Sequence, residues 1–245
     1  MDYPKHLYEK IREEVAVSYL KHELKKIFPS IKAKDVDNLM QSKELCNPRD
    51  FWNGVHGIGM GFKLHIGFIF LVTAENIRWT KEKINIEDLY FGVNREITDK
   101  NKTKSVKQII EKFKTNKIPV EIYEWDRDPI FVVEKAQGLS VYDGNNRLEK
   151  YISNGIKTID AYVGRYSSEV KKPVNYWLPT STLIDILYYV YLAIDNNDEN
   201  LFDSQIAVLK NMLSFSESGK YEFKERALTT KKEYRDKILA AVKII

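Results

Sequence analysis

The chain has 245 residues, 43% hydrophobic and 30% charged, which excludes a disordered or fibrous polymer and leaves room for a sizeable core in one domain or two intimate ones. A formal net charge of +4 and a pI near 8.8 are mildly basic, compatible with nucleic acid or a nucleotide and demanding neither. The single cysteine, Cys46, excludes an intramolecular disulfide framework and a multi-cysteine zinc site and fits a reducing cytosol.

The opening MDYPKHLYEKIREEV lacks the apolar core of a secretory signal. The longest apolar run, Leu64 to Ala74, is shorter than the roughly 20 apolar residues that cross a bilayer, so it reads as buried core helix. The expectation is a cytoplasmic protein with no membrane partner. From Tyr3 to roughly Phe28, Leu7, Ile11, Val15 and Tyr19, then Leu20, Leu24 and Ile27, recur at helical spacing, and Pro29 stops the helix. A second helix is predicted from Lys34 to about Met40 and a third from about Phe51 through Ile77, ending near Trp79. Residues 1–79 therefore read as an all-helical region.

Residues 80–166 read differently. Ile84-Asn85-Ile86 is a short extended segment, followed by a polar loop that ends at Lys104. Ser105-Val106-Lys107-Gln108 matches a capping box, and Val106, Ile109, Ile110 and Phe113 then form one buried helical stripe. Pro119 opens an extended run from Val120 to Trp125. Ile130 to Val133 and Leu139 to Tyr142 are strands with Gly138 in the turn between them. Leu148 to Asn154 reads as a short helix closed by Gly155, and Ile159, Ala161 and Val163 alternate in a last strand. Residues 167–245 return to helix. The segment Leu183 to Ile194, capped by Thr180 or Ser181, is apolar on every side and so is expected to be largely buried, and two further helices are predicted at about Ser204 to Leu213 and Lys231 to Ile245. The polar stretch Ser214 to Phe223 reads as a loop between them.

The stretch that draws attention is Asp143-Gly144-Asn145-Asn146-Arg147, where a strand turns into a helix. Glycine accepts positive φ there, the first helical N–H groups lack acceptors, and the helix dipole adds positive potential at the same spot. Arg147 supplies a fork of donors suited to phosphate oxygens, and Asn145 and Asn146 supply amide donors, which together outline a phosphate site. An ordinary turn, with Asp143 capping the helix and Arg147 paired to a surface carboxylate, uses the same residues.

The block from Ile84 to Tyr166, about a third of the chain, resembles the ParB/sulfiredoxin superfamily. The resemblance rests on the order INIEDLYFGVNREI, SVKQIIEKFKTN, IPVEIYEW, PIFVVEKAQGLSVYDG, the motif DGNNR and KTIDAYVG. It implies an α+β fold, a ParB/sulfiredoxin-like core between N- and C-terminal helical flanks, in which the Asp-Gly-x-x-Arg turn holds the phosphates of a nucleotide. Members include nucleotide-hydrolysing DNA clamps, small-molecule kinases, sulfinic-acid reductases and nucleases, so the ligand class is implied more firmly than the reaction. The departures sort these branches. No cysteine lies in the turn, which disfavours sulfinic-acid repair. The partitioning branch carries Gly-Glu-Arg-Arg and a helix-turn-helix, whereas this chain has Gly144-Asn145-Asn146-Arg147 and no convincing recognition helix. The free-serine-kinase branch uses Asp-Gly-x-His-Arg, and here Asn146 replaces the histidine; an amide donates to phosphate but carries no proton at neutral pH.

By the same resemblance, Arg95 falls where a second phosphate contact is placed and Glu96 where a base or Mg²⁺ ligand is placed, with Asp143 competing for the metal role. The function expected is a nucleotide-binding protein, a Mg²⁺-dependent phosphohydrolase or phosphotransferase acting on a nucleotide such as ATP, ADP or CTP. The alternative is a DNA-associated binding protein or nuclease, in which the turn grips nucleic-acid phosphates and Lys100, Lys102, Lys104, Lys107, Lys112, Lys114 and Lys117 steer the backbone; a solvated helix face explains the same lysines. In HGIGMGFKLH, the glycines at 57, 59 and 61 do not make a dinucleotide fingerprint, though Gly57 and Gly61 would let another helix pack close. His56 and His65 share no helical face for a metal. His56 and Lys63 could line a cleft, and His56 otherwise reads as a hydrogen-bonded core residue.

Overall fold

The computed structural model describes residues 4–42, 47–62, 64, 66–91, 105–107, 110, 120–167 and 175–243. The protein is α+β, with nine α-helices among the described residues and one five-stranded mixed sheet. It divides into two units, one formed by residues 1–76 and 170–245 together and the other by residues 77–169.

The helical unit is discontinuous in sequence. Helix α1 (Lys10–Ile27) turns Val15, Ala16, Tyr19, Leu20 and Leu24 inward, and α2 (Ala33–Met40) adds Val36 and Met40. The third predicted helix is two helices, α3 (Pro48–Gly61) and α4 (Ile66–Thr73), with Asn47 capping the first through the N–H of Asp50. Glycines at 57, 59 and 61 weaken the end of α3, which explains the break. The apolar run is buried as expected, with Phe68, Ile69 and Val72 in the core and the Phe68 ring 4.4 Å from that of Tyr19. Gly57 and Gly61 mark no close helix contact, because a Cβ added at either meets nothing within 4 Å.

In the same unit, α6 (Thr180–Asp195), α7 (Glu199–Ser214) and α9 (Lys232–Val242) share a core built on Leu183, Leu187, Val190, Leu209, Leu213 and Ile238. Three expectations change here. Pro179, not Thr180 or Ser181, is the N-cap of α6. That helix is not buried all round, since Ile184, Tyr188 and Tyr189 are exposed; the tyrosine rings are amphipathic and reach water at little cost. The stretch read as a loop contains α8 (Glu217–Glu222) and ends where a π-turn, Phe223–Ala227, begins. Its polar look misled because Ser216 is a cap: its hydroxyl accepts from the Gly219 N–H (2.9 Å) and donates to the Tyr176 carbonyl (2.7 Å).

The second unit is the sheet, ordered β1-β5-β3-β4-β2. Strand β1 runs Ile77–Asn85, so residues 77–79 are not helical and the extended segment is nine residues long rather than three. Ile77 and Trp79 are buried on one face and Ile84 on the other, so no single alternation runs through the strand, and the charged Lys81-Glu82-Lys83 obscures the strand period in between. β1 pairs antiparallel with β5 (Thr158–Tyr166), which pairs parallel with β3 (Ile130–Lys135); β3 and β4 (Gly138–Asp143) form a hairpin, and β2 (Leu89–Tyr90) joins β4 in parallel. Helix α5 (Asn145–Ser153) begins three residues before its expected start and packs Leu148 and Ile152 against Ile130, Val132, Val141, Ala161 and Val163. Residues 124–127 are a 3-10 turn, not the end of an extended run, because the Asp126 carboxylate accepts from the Tyr123 N–H and folds the chain back. The capping-box helix expected after Ser105 lies largely outside the described residues; Ser105 bridges Tyr90, and Val106 is buried in the sheet core. Among the described residues no helix is long and apolar enough to cross a membrane.

Candidate functional site

The Asp143–Arg147 corner joins the end of β4 to the start of α5. Just before it the β3–β4 register slips: Val132 faces Val141 but Phe131 faces Asp143, so Tyr142 is an extra residue on β4. Such bulges bend a strand and re-aim the side chains beyond it. Gly144 follows with φ 108° and ψ 16°, a left-handed conformation that side chains resist. A Cβ at that position would lie 2.5 Å from Cγ2 of Ile130, so glycine is required by packing as well as by torsion.

Gly144, not Asp143, is the N-cap of α5, and glycine has no side chain with which to cap it. Asp143 turns instead to Arg147, with its Oδ2 3.1 Å from Nη2. Nη1 of Arg147 donates to the carbonyls of Asp128 (3.1 Å) and Pro129 (2.9 Å), and the guanidinium lies 5.9 Å from the centre of the Phe131 ring. The side chain is buried, not a surface fork. Burial pushes the guanidinium below its usual range, opposed by the nearby charges of Asp143 and Asp128. Asn145 is half-buried and Asn146 is exposed on the first turn. Lys150, one turn further on, pairs with Asp126 at 2.6 Å and lies over the Tyr123 ring. The Asp126-Arg127-Asp128-Pro129 turn is thus the second wall of the corner, an element that the motif alone does not reveal.

The structure therefore brings together Asp143, Gly144, Asn145, Asn146 and Arg147. Arg95 and Glu96 lie outside the described residues, as do all the lysines of the basic run except Lys107, which is exposed. No group of three or more His, Cys, Asp or Glu side chains among the described residues is placed to hold a metal ion. At the corner Asp143 and Asp126 each face a cation, so the described side chains do not fit a protein-built Mg²⁺ cage.

His65 and Lys63 also lie outside the described residues. His56 is fully buried between the rings of Phe70 (5.5 Å) and Trp177 (5.4 Å), so it lines no cleft. It is not hydrogen-bonded either: neither ring nitrogen has a partner among the described residues, and burial lowers its pKa to about 3.

Comparison with protein families, with curated proteins and with solved structures finds no match to this chain.

Proposed function

We propose that the protein binds a nucleotide at the β4–α5 corner, as the resemblance to ParB/sulfiredoxin-like proteins implies, and acts as a phosphohydrolase or phosphotransferase. The observation that carries this reading is a buried guanidinium in the first turn of a helix whose N-cap is a left-handed glycine. Cations are unfavourable at that helix end, where the dipole is already positive. Arg147 thus adds to the potential that would hold a phosphate, while the first N–H groups of α5 and the exposed Asn146 amide supply the donors. Preorganised donors of this kind would stabilise charge on a transferring phosphoryl group. Mg²⁺ would arrive on the nucleotide's own phosphate oxygens, as it does where few protein carboxylates serve it.

A second reading is favoured by the bonds Arg147 already makes. With two carbonyls and a carboxylate as acceptors, the guanidinium latches the 126–129 turn to α5, and the corner then needs no ligand.

Calorimetric titration with ATP, ADP, CTP and GTP, with and without Mg²⁺, separates the readings when run on the parent, Asn146→Asp and Arg147→Lys. The nucleotide reading expects saturable binding of at least one of them, weakened roughly tenfold or more by Asn146→Asp, a change at an exposed position that leaves the fold intact. No binding, or binding indifferent to Asn146→Asp, supports the latch. Steep loss of affinity for duplex DNA with rising salt would instead mark nucleic acid as the partner.

A further inference from the structure

A hollow of about 120 Å³ lies within the helical unit, lined among others by Arg49, Asn53, Trp177, Ser181, Ser218 and Arg226. It is well below the ~300 Å³ at which drug-sized ligands begin, so its occupant is compact. Two arginines from different elements line it against a single carboxylate, Glu222, which is already engaged by the Thr180 hydroxyl and by Arg226 at 3.6 Å.

Neither arginine is explained by folding. Arg49 is exposed in the first turn of α3, the helix end at which a cation is unfavourable, and it makes no hydrogen bond or ion pair among the described residues. Asn53, one turn along the same face of α3, likewise has no hydrogen-bonding partner among them. Arg226 is carried by the π-turn Phe223–Ala227, a distortion of helical geometry that is costly and recurs at functional sites. Its ion pair to Glu222 is long, which leaves much of the planar fork for another acceptor.

We propose that this hollow is a binding site for a tetrahedral oxyanion of the phosphate class, distinct from the corner in the sheet unit. Two guanidinium forks, the Asn53 amide and the Ser181 hydroxyl form a donor set matched to phosphate oxygens, while the Ser218 hydroxyl is held by Ser216 and the Leu178 N–H. Free phosphate and the phosphate group of a small phosphomonoester share this chemistry.

The test is a calorimetric titration of the full chain with inorganic phosphate and, separately, with phosphoserine, followed in parallel by tryptophan fluorescence because Trp177 lines the hollow. Arg49→Gln, Arg226→Gln and Asn146→Asp are compared with the parent. Saturable phosphate binding, weakened about tenfold or more by each arginine substitution and unchanged by Asn146→Asp, supports the site. Tighter binding of phosphoserine names a phosphomonoester as the source; equal or weaker binding names free phosphate. Lack of saturation by either ligand, or saturation indifferent to both arginine substitutions, overturns it. Sensitivity to Asn146→Asp alone also overturns it and assigns the anion to the corner. Both arginines are accessible, so circular dichroism of the variants is expected to match the parent.

Discussion

Two buried arginines, one in each unit, make nearly the same bonds, each from the first turn of its own helix. In the helical unit, Nη1 of Arg12 donates to the carbonyls of Val72 (2.6 Å) and Ala74 (2.9 Å), and its Nε donates to Glu9 at 2.9 Å. In the sheet unit, Nη1 of Arg147 takes two carbonyls and Nη2 takes Asp143. The Arg12 guanidinium, which also comes from a first helical turn, that of α1, reaches the carbonyl end of α4, where a cation neutralises the dipole and satisfies groups the helix leaves open. Arg147 sits in the first turn of α5, where its charge adds to the dipole. The same bonding scheme therefore ties the start of one helix to the end of another in one place, and the start of a helix to a turn in the other.

The comparison is broken most severely by removing either arginine. Arg12→Ala and Arg147→Ala are each expected to lose about 3 kcal/mol in denaturant unfolding, since each removes a buried side chain and leaves two carbonyls without their donor. Arg→Gln sharpens the contrast: it removes a cation from a helix start at both positions, but at position 12 it also removes one from the carbonyl end of α4, so it is expected to cost about 0.5 kcal/mol less at position 147. Equal losses would contradict the difference between the two helix ends. Gly144→Ala comes next, at about 2 kcal/mol or more, because it combines a φ of 108° with a Cβ 2.5 Å from Ile130.

Acid sensitivity is expected from the helical unit through His56. Its folded pKa of about 3 lies below the ordinary 6.5, so the unfolded chain takes up the proton first. The stability it contributes is complete above pH 6.5 and is lost as pH falls toward 3. Between pH 7 and 5 the loss is about 2 kcal/mol, and His56→Phe should flatten that slope in pH-dependent unfolding. The smallest effect belongs to Asn146→Asp, expected to shift stability by less than about 0.5 kcal/mol while weakening anion binding at the corner.

The hairpin, the last strand, the apolar run of α4 and the glycine at the corner were legible because each is written in local pattern. Strand β1 was not, since Ile77 and Trp79 are buried on one face and Ile84 on the other, with the charged Lys81-Glu82-Lys83 between them. The α8 stretch hid behind serines that cap rather than loop. The inward turn of Arg147 was beyond local reading, because its carbonyl acceptors come from residues 128 and 129, 18 and 19 positions earlier in the chain. A motif identifies a fork of donors, and only tertiary structure shows what the fork already holds.

The most direct test of the phosphate corner is the midpoint of thermal unfolding of Asn146→Asp and of the parent, each with and without saturating nucleotide and Mg²⁺. Ligand that binds only the folded protein stabilises it by about 2.7 kcal/mol at a hundredfold excess over Kd. The account predicts a raised midpoint in the parent that the aspartate variant loses, with equal midpoints for the two proteins in the absence of ligand. A nucleotide-induced rise of the same size in both proteins, or none in either, would contradict it.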